Sequence, residues 1–294
     1  MKQRKVTEIR TAHPSRDGDG VAIRRIAGMG HGGMDPVLMI DELRSERRAD
    51  FGGGFPPHPH RGMQTLTYMK QGGIIHEDSQ GNRGEIRGGG AQWMSAGRGI
   101  IHSEMPTRDT DGFHGFQLWV NLPAADKLGA PRYRDVPREE LAVARGNGFE
   151  ATAIAGRWRL TAGGDSAIAL HGPLAELEER AGVLDLLLQP GVVLELDTDS
   201  TESALGFVYD GAVMHQGAPV GSGHLLVTAG GERWRLEAGP DGASLLLLRG
   251  EPLREPVAHY GPFVMNTAEA VSYTHLRAHE TGVEISYAVF CLTR

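Results

Sequence analysis

A single cysteine, Cys291, stands among the 294 residues. It excludes an intramolecular disulfide, and no thiolate chemistry is expected of it. No stretch approaches the ~20 apolar residues that span a bilayer. The opening MKQRKVTEIRTAHPSRDGDG is charged and lacks the apolar centre of a signal peptide. A soluble, cytoplasmic protein without a membrane partner is the expectation. Basic runs and basic-aromatic interleaving are missing too: the formal net charge is −7, with both signs mixed along the chain. Direct nucleic-acid binding is therefore not expected. Long apolar stripes at helical spacing are scarce. Glycine is plentiful, at 42 residues with 16 prolines, which is the punctuation of many short strands joined by tight turns. All-β is the expected class, and the length suits two domains.

From Asp35 to Pro123 strand-like runs alternate with glycine. PVLMIDEL, TLTYMK, IIHEDS, AQWMSAG, IIHSEM and FHGFQLWVNL read as strands, with turns at QGG (71–73) and QGNRG (80–84). Beyond Pro123 the composition becomes charged, and VPREELAVAR offers a short helix starting near Pro137. The expected division is 1–123, a linker at 124–147, and a second strand-rich domain at 148–270. The second domain repeats the first: YMKQGGIIH (68–76) lies against FVYDGAVMH (207–215) at an offset of 139, and GGGAQWMSAG (88–97) against GSGHLLVTAG (221–230) at 133. Two tandem small barrels are expected.

The chemistry gathers in FPPHPHRGMQTLTYM (55–69) and GIIHSEMP (99–106). Residues at i and i+2 of a strand face the same way, so His58 and His60 form one two-ligand arm, and His102 and Glu104 a second. Inward residues of a small barrel converge on a cavity. Three imidazoles and a carboxylate suit one divalent first-row transition metal, with open positions for water or substrate. The competing reading puts HPH in a surface loop and makes His102 a hydrogen-bonded core histidine; two spaced pairs on adjacent strand signals favour the metal.

HPHRGMQTLTYMKQG, HEDSQGN, QWMSAGRGIIHSE, GFQLWVNLP and the late GPFVMN together resemble the pirin family of bicupins, over residues 15–268. The resemblance implies two cupin barrels and a mononuclear iron in the first, with ligands His58, His60, His102 and Glu104. It also implies either quercetin dioxygenase activity or transcriptional co-regulation. In the enzyme reading the substrate is a flavonol-like aromatic with dioxygen, Glu104 takes the flavonol proton, and the ring opens with loss of carbon monoxide. Two alternatives keep the same site: a redox sensor that signals to a protein partner, and an oxygenase of another enediol or phenol. The chain departs from the pattern at Gln64, where cupins commonly place a glutamate, and at GGGAQWM, which lacks an acidic residue before its Gln-Trp pair.

Carried through the repeat, the four ligand positions fall on Asp197, Asp199, Arg235 and Glu237. None is an imidazole, and an arginine disfavours a cation. The second barrel is expected to be structural or lid-forming. His76 and Asp78 are candidates to orient a ligand, or else solvent-facing strand residues. Trp93, Phe116, Trp119 and Phe263, with His114 and Gln117 nearby, are candidates for an aromatic wall, with core packing as the competing reading. His13, His31, His171, His215, His224 and His259 show no paired spacing and are assigned no chemistry. The segment 271–294, with SYTHLRAHET, reads as a foreign tail. Its His275, His279 and Cys291 are discounted.

Overall fold

The computed structural model describes residues 1–30, 32–163, 166–178 and 180–272. Regular structure is almost wholly β, as expected, and helix is confined to short stretches such as Ala175–Glu178. No helix among the described residues is long and apolar enough to cross a membrane.

The chain forms two compact units. One comprises, among the described residues, 16–23, 43–135 and 254–272. Within it, one sheet runs in the order Phe55–His60, Ile100–Pro106, Gly73–Asp78, Arg83–Arg87. A second sheet pairs Ala91–Ser95 with Met63–Gln71 and Met63–Gln71 with Phe113–Asn121. At Gly72, φ +83°, the chain leaves the second sheet for the first; a side chain would be strained in that conformation, which explains the QGG turn. Val21, Ile23, Leu43, Phe51, Met69, Ile74, Ile86 and Phe113 pack into a buried cluster. All but Phe51, which follows the 3-10 turn Arg48–Asp50, lie on strands that turn an apolar face inward.

The other unit comprises residues 1–15, 24–42 and 136–253. Its strand Ser203–His215 pairs with His224–Ala229 and with Arg233–Gly250, the pattern Met63–Gln71 shows with its own two neighbours. The repeat is thus visible in the pairing, but the register is not the one read from the sequence. The offsets place Phe207 opposite His224; the structure pairs Phe207 with Leu225 and Val208 with His224. A slip of one residue exchanges the faces of a strand.

Two expectations differ from the packing. The contiguous division at 123 and 148 does not describe the compact units. Lys5–Thr11 pairs with His224–Ala229, so the first residues belong with the later half. Val264 donates its N–H to the Arg61 carbonyl at 3.0 Å, so residues after 253 belong with the earlier half. The helix expected near Pro137 is a three-residue 3-10 turn, Arg138–Glu140, followed by the strand Ala142–Gly146, whose ladder to Phe149–Ala155 overrides local helix propensity.

Candidate metal centre

Three prolines share six residues with two histidines in Phe55–His60, and they are tolerated because this strand is an edge of its sheet. It runs antiparallel to Ile100–Pro106 with His58 opposite His102, and a register shift follows before Glu104. The pleat turns His58, His60 and His102 to one place. Ring centroids are 4.9 Å apart for His58 and His60, 4.4 Å for His58 and His102, and 4.9 Å for His60 and His102. One imidazole nitrogen from each lies within 4.8 Å of the others. No other such group of donors occurs among the described residues.

The protonation pattern fits a cation. Burial pushes the His60 and His102 imidazoles well below their ordinary range, and the neighbouring His58 adds to it. Burial lowers His58 too, against the opposing pull of the Pro56 carbonyl and Glu104. The rings are therefore neutral near pH 7 and carry lone pairs. His58 Nδ1 lies 2.8 Å from the Pro56 carbonyl and must donate to it, which leaves Nε2 as an acceptor only 3.1 Å from His60 Nε2. His102 Nε2 is buried with no hydrogen-bond partner. His60 Nδ1 is likewise buried without a partner, and orphaned imidazole nitrogens in a buried cluster are what a bound metal resolves.

Glu104 is buried on the same strand, but its carboxylate is not in the converging group. Oε1 lies 2.7 Å from Thr67 Oγ1, and Oε2 accepts from Gln117 Nε2 at 3.3 Å. Thr67 Oγ1 also lies 2.6 Å from Gln117 Oε1. His76 and Asp78 are buried, not solvent-facing, and lie 3.1 Å apart behind His102. Burial alone would raise the Asp78 carboxyl, but hydrogen bonds from Asn82, His76 and Gln80 hold it below the usual range.

The aromatic candidates separate. Trp119 stands edge-on to His60 at 5.2 Å. Trp93 is turned elsewhere, donating to Gln64 Oε1 at 2.7 Å beneath the Arg132 guanidinium. Gln64 is thereby the partner of an indole. Phe116 packs with Tyr68 and His114, and Phe263 with Met265 and Val271. Val271, expected to be foreign, belongs to this buried cluster; His275, His279 and Cys291 lie outside the described residues.

The repeat-derived positions point away from the core. Asp197 pairs with Arg159 at 3.2 Å, and Arg235 with Glu237 at 2.9 Å. Leu194, Leu196, Trp234 and Leu236 take the inward places on the same two strands. The absence of an imidazole there stands, for the reason that leucines and a tryptophan fill the interior. Sequence reasoning missed Thr67 and Lys127. Thr67 is one threonine in TLTYM and carries no signal of its partner. Lys127 falls in the stretch expected to be a linker, yet it is almost fully buried.

The family model described as Pirin matches residues 22–120, and the one described as Pirin C-terminal cupin domain matches residues 183–280. The chain is 43% identical over 285 residues to a Vibrio cholerae protein provisionally named a quercetin 2,3-dioxygenase, covering 96% of this chain and 98% of that one. It is 35% identical over 277 residues to human pirin, covering 92% and 90%. Among solved structures, a quercetin 2,3-dioxygenase from Acinetobacter baumannii superposes with a TM-score of 0.83 at 26% identity, covering 95% of this chain and 97% of that one.

Proposed function

This chain belongs to the pirin family, and on that premise we propose that it is an iron(II)-dependent dioxygenase that cleaves a flavonol such as quercetin with release of carbon monoxide. One ion per chain would be held by the converging His58, His60 and His102, with Glu104, whose carboxylate lies outside that group and rests on Thr67 and Gln117, as the proposed fourth ligand. The observation that carries this reading is the convergence of three neutral, buried imidazoles with the His102 Nε2 lone pair unpartnered. The likeness to quercetin 2,3-dioxygenase from Acinetobacter baumannii supports the substrate class.

A metal held by these residues would supply Lewis-acid chemistry toward the flavonol oxygens and dioxygen. The chain does the rest. Trp119, edge-on to His60, offers an apolar surface beside the site for a flat ring. Glu104 takes the flavonol hydroxyl proton at Oε1, where Thr67 Oγ1 lies 2.7 Å away. While the carboxylate is ionised, the single Thr67 hydroxyl proton serves either Glu104 Oε1 or Gln117 Oε1, and one of these short contacts lacks a proton. Once Oε1 is protonated the ring closes: Glu104 donates to Thr67, Thr67 to Gln117 Oε1, and Gln117 Nε2 to Glu104 Oε2. Thr67 and Gln117 thus hold the proton away from the reacting ring.

The test is oxygen uptake. Iron-loaded protein is expected to consume oxygen with quercetin and release carbon monoxide. Flavonol-dependent uptake no greater than that of free metal, with iron, manganese, cobalt, nickel and copper loaded in turn, overturns the dioxygenase reading and leaves a metal-binding bicupin.

A further inference from the structure

A run of buried polar groups stands behind His102. Asp78 Oδ1 accepts the backbone N–H of Gln80 at 2.9 Å and of Asn82 at 3.0 Å; Oδ2 accepts Asn82 Nδ2 at 2.9 Å and lies 3.1 Å from His76 Nε2. His76 Nδ1 lies 3.3 Å from His102 Nδ1. We propose that Asp78 and His76 are positioning residues that fix His102 in its Nδ1–H tautomer and so hand its Nε2 to the metal. The proposal rests on the metal centre put forward above.

The assignment follows from what each group is able to donate. An ionised carboxylate only accepts, so His76 Nε2 carries a proton toward Asp78. One proton lies between the two facing Nδ1 atoms, and the arrangement that leaves His102 Nε2 a lone pair for a metal is the one in which His76 Nδ1 accepts. His102 Nδ1 must then donate to it, and the one nitrogen left with a lone pair is His102 Nε2, the buried atom that has no partner. Carboxylate-backed imidazoles orient metal ligands in this way in general, and removing the backing weakens metal binding about 10- to 100-fold.

The surroundings keep the His76 ring in plane. Tyr133 stacks on it at 4.4 Å and 26°. The Tyr133 hydroxyl donates to Asp135 Oδ1 at 2.6 Å and accepts from Gln92 Nε2 at 2.8 Å. Gly84 is the register partner of His76 on the adjacent strand. A side chain on Gly84 collides with the Tyr133 hydroxyl and Asp135 Oδ2, so glycine there makes room for the stacked tyrosine.

Two measurements decide the matter. In metal-free protein, nitrogen-15 NMR of the imidazoles is expected to show His102 protonated at Nδ1 and bare at Nε2; a protonated Nε2 overturns the relay. Cobalt(II) affinity and the cobalt absorption spectrum are then compared across variants. His76→Phe keeps a ring against Tyr133 but removes the acceptor, and is expected to weaken affinity about 10- to 100-fold and to shift the spectrum. His76→Gln, whose carboxamide oxygen accepts in place of Nδ1, restores most of the affinity. Tyr133→Phe, which keeps the stack, changes it by less than about threefold. A folded His76→Phe with wild-type affinity and spectrum overturns the proposal. Should that variant not fold, Asp78→Asn takes its place, and an unchanged affinity overturns the proposal equally. Wild-type protein that binds no cobalt removes the metal centre and the relay together, whereas a tight wild-type site indifferent to His76 removes the relay alone.

Discussion

Thr67 Oγ1 sits 2.7 Å from Glu104 Oε1, buried, on a strand 37 residues earlier in the chain. The contact ties the fate of the Glu104 proton to a hydroxyl that binds no metal. Thr67→Val is expected to leave metal content near the wild-type level and to lower kcat about tenfold, close to 1.4 kcal/mol of barrier. Glu104→Gln should keep much of the metal and lose about 100-fold or more in turnover, the size of a general-base effect. Equal turnover in wild type and Thr67→Val removes the proton-holding role.

Metal analysis should find one ion per chain. His60→Ala or His102→Ala each deletes one of three converging donors and is expected to remove most of the metal. Arg235→Ala and Asp197→Ala, on the outward face of their strands, should leave it in place. Two ions per chain, or retention after both histidine changes, contradicts the assignment.

Acid should weaken the metal-free protein. The folded-state pKa values of His58, His60 and His102 lie below the ordinary 6.5, chiefly through burial. The unfolded chain therefore binds more protons below pH 6.5, and stability present above that pH is lost as it falls. Each histidine contributes up to about 1.4 kcal/mol per pH unit. Urea melts of the metal-free protein at pH 7.5, 6.5 and 5.5 should show a midpoint flat between the first two and falling to the third, with the metal-loaded protein higher throughout but falling at least as steeply, because the metal keeps the folded histidines unprotonated. A flat profile to pH 5.5 shows that the imidazoles are not held neutral.

Lys127 shows the same sign in an alkaline window. Its ammonium donates to the Gly62 carbonyl at 2.7 Å, Asn121 Oδ1 at 2.6 Å and the Val264 carbonyl at 3.2 Å, and burial pushes its pKa from 10.5 to about 8. Between these values the unfolded chain holds the proton and the folded chain does not, so stability rises with pH across the interval, by up to about 3 kcal/mol. Lys127→Met leaves three acceptors without their donor and should cost about 2 kcal/mol at pH 7. It should also abolish the alkaline rise, as read by urea denaturation at pH 7, 8.5 and 10.

The reading of the tail as foreign also predicts a boundary. Truncation after residue 272 should leave the melting temperature and metal content unchanged. Val271→Asp places a charge in the cluster with Phe263 and Met265 and should lower the melting temperature by several degrees. A large loss on truncation shows that the segment completes the fold.

Much of the centre was legible because strand periodicity is a local property. His58 could be set beside His60, and His102 beside Glu104, from an i, i+2 spacing alone, and glycine punctuation marked the strands and hairpins around them. Register and partnership were not legible. The repeat aligned residues by likeness, yet Asp197 and Arg235 face outward while Leu194, Leu196, Trp234 and Leu236 fill the interior, because the alternation of a strand makes face identity all or nothing.

By itself the sequence determined the all-β class, the two same-face pairs His58/His60 and His102/Glu104 and the family resemblance, since each follows from residue type, short-range spacing and motif. Only the tertiary structure decided what those residues touch: that Glu104 rests on Thr67 and Gln117, that His76 and Asp78 back His102, that Lys127 is buried in a stretch of linker composition, and that the first strand belongs with the later half. Contacts between residues tens to hundreds of positions apart are set by how strands pair and pack, and no local pattern of side chains records them.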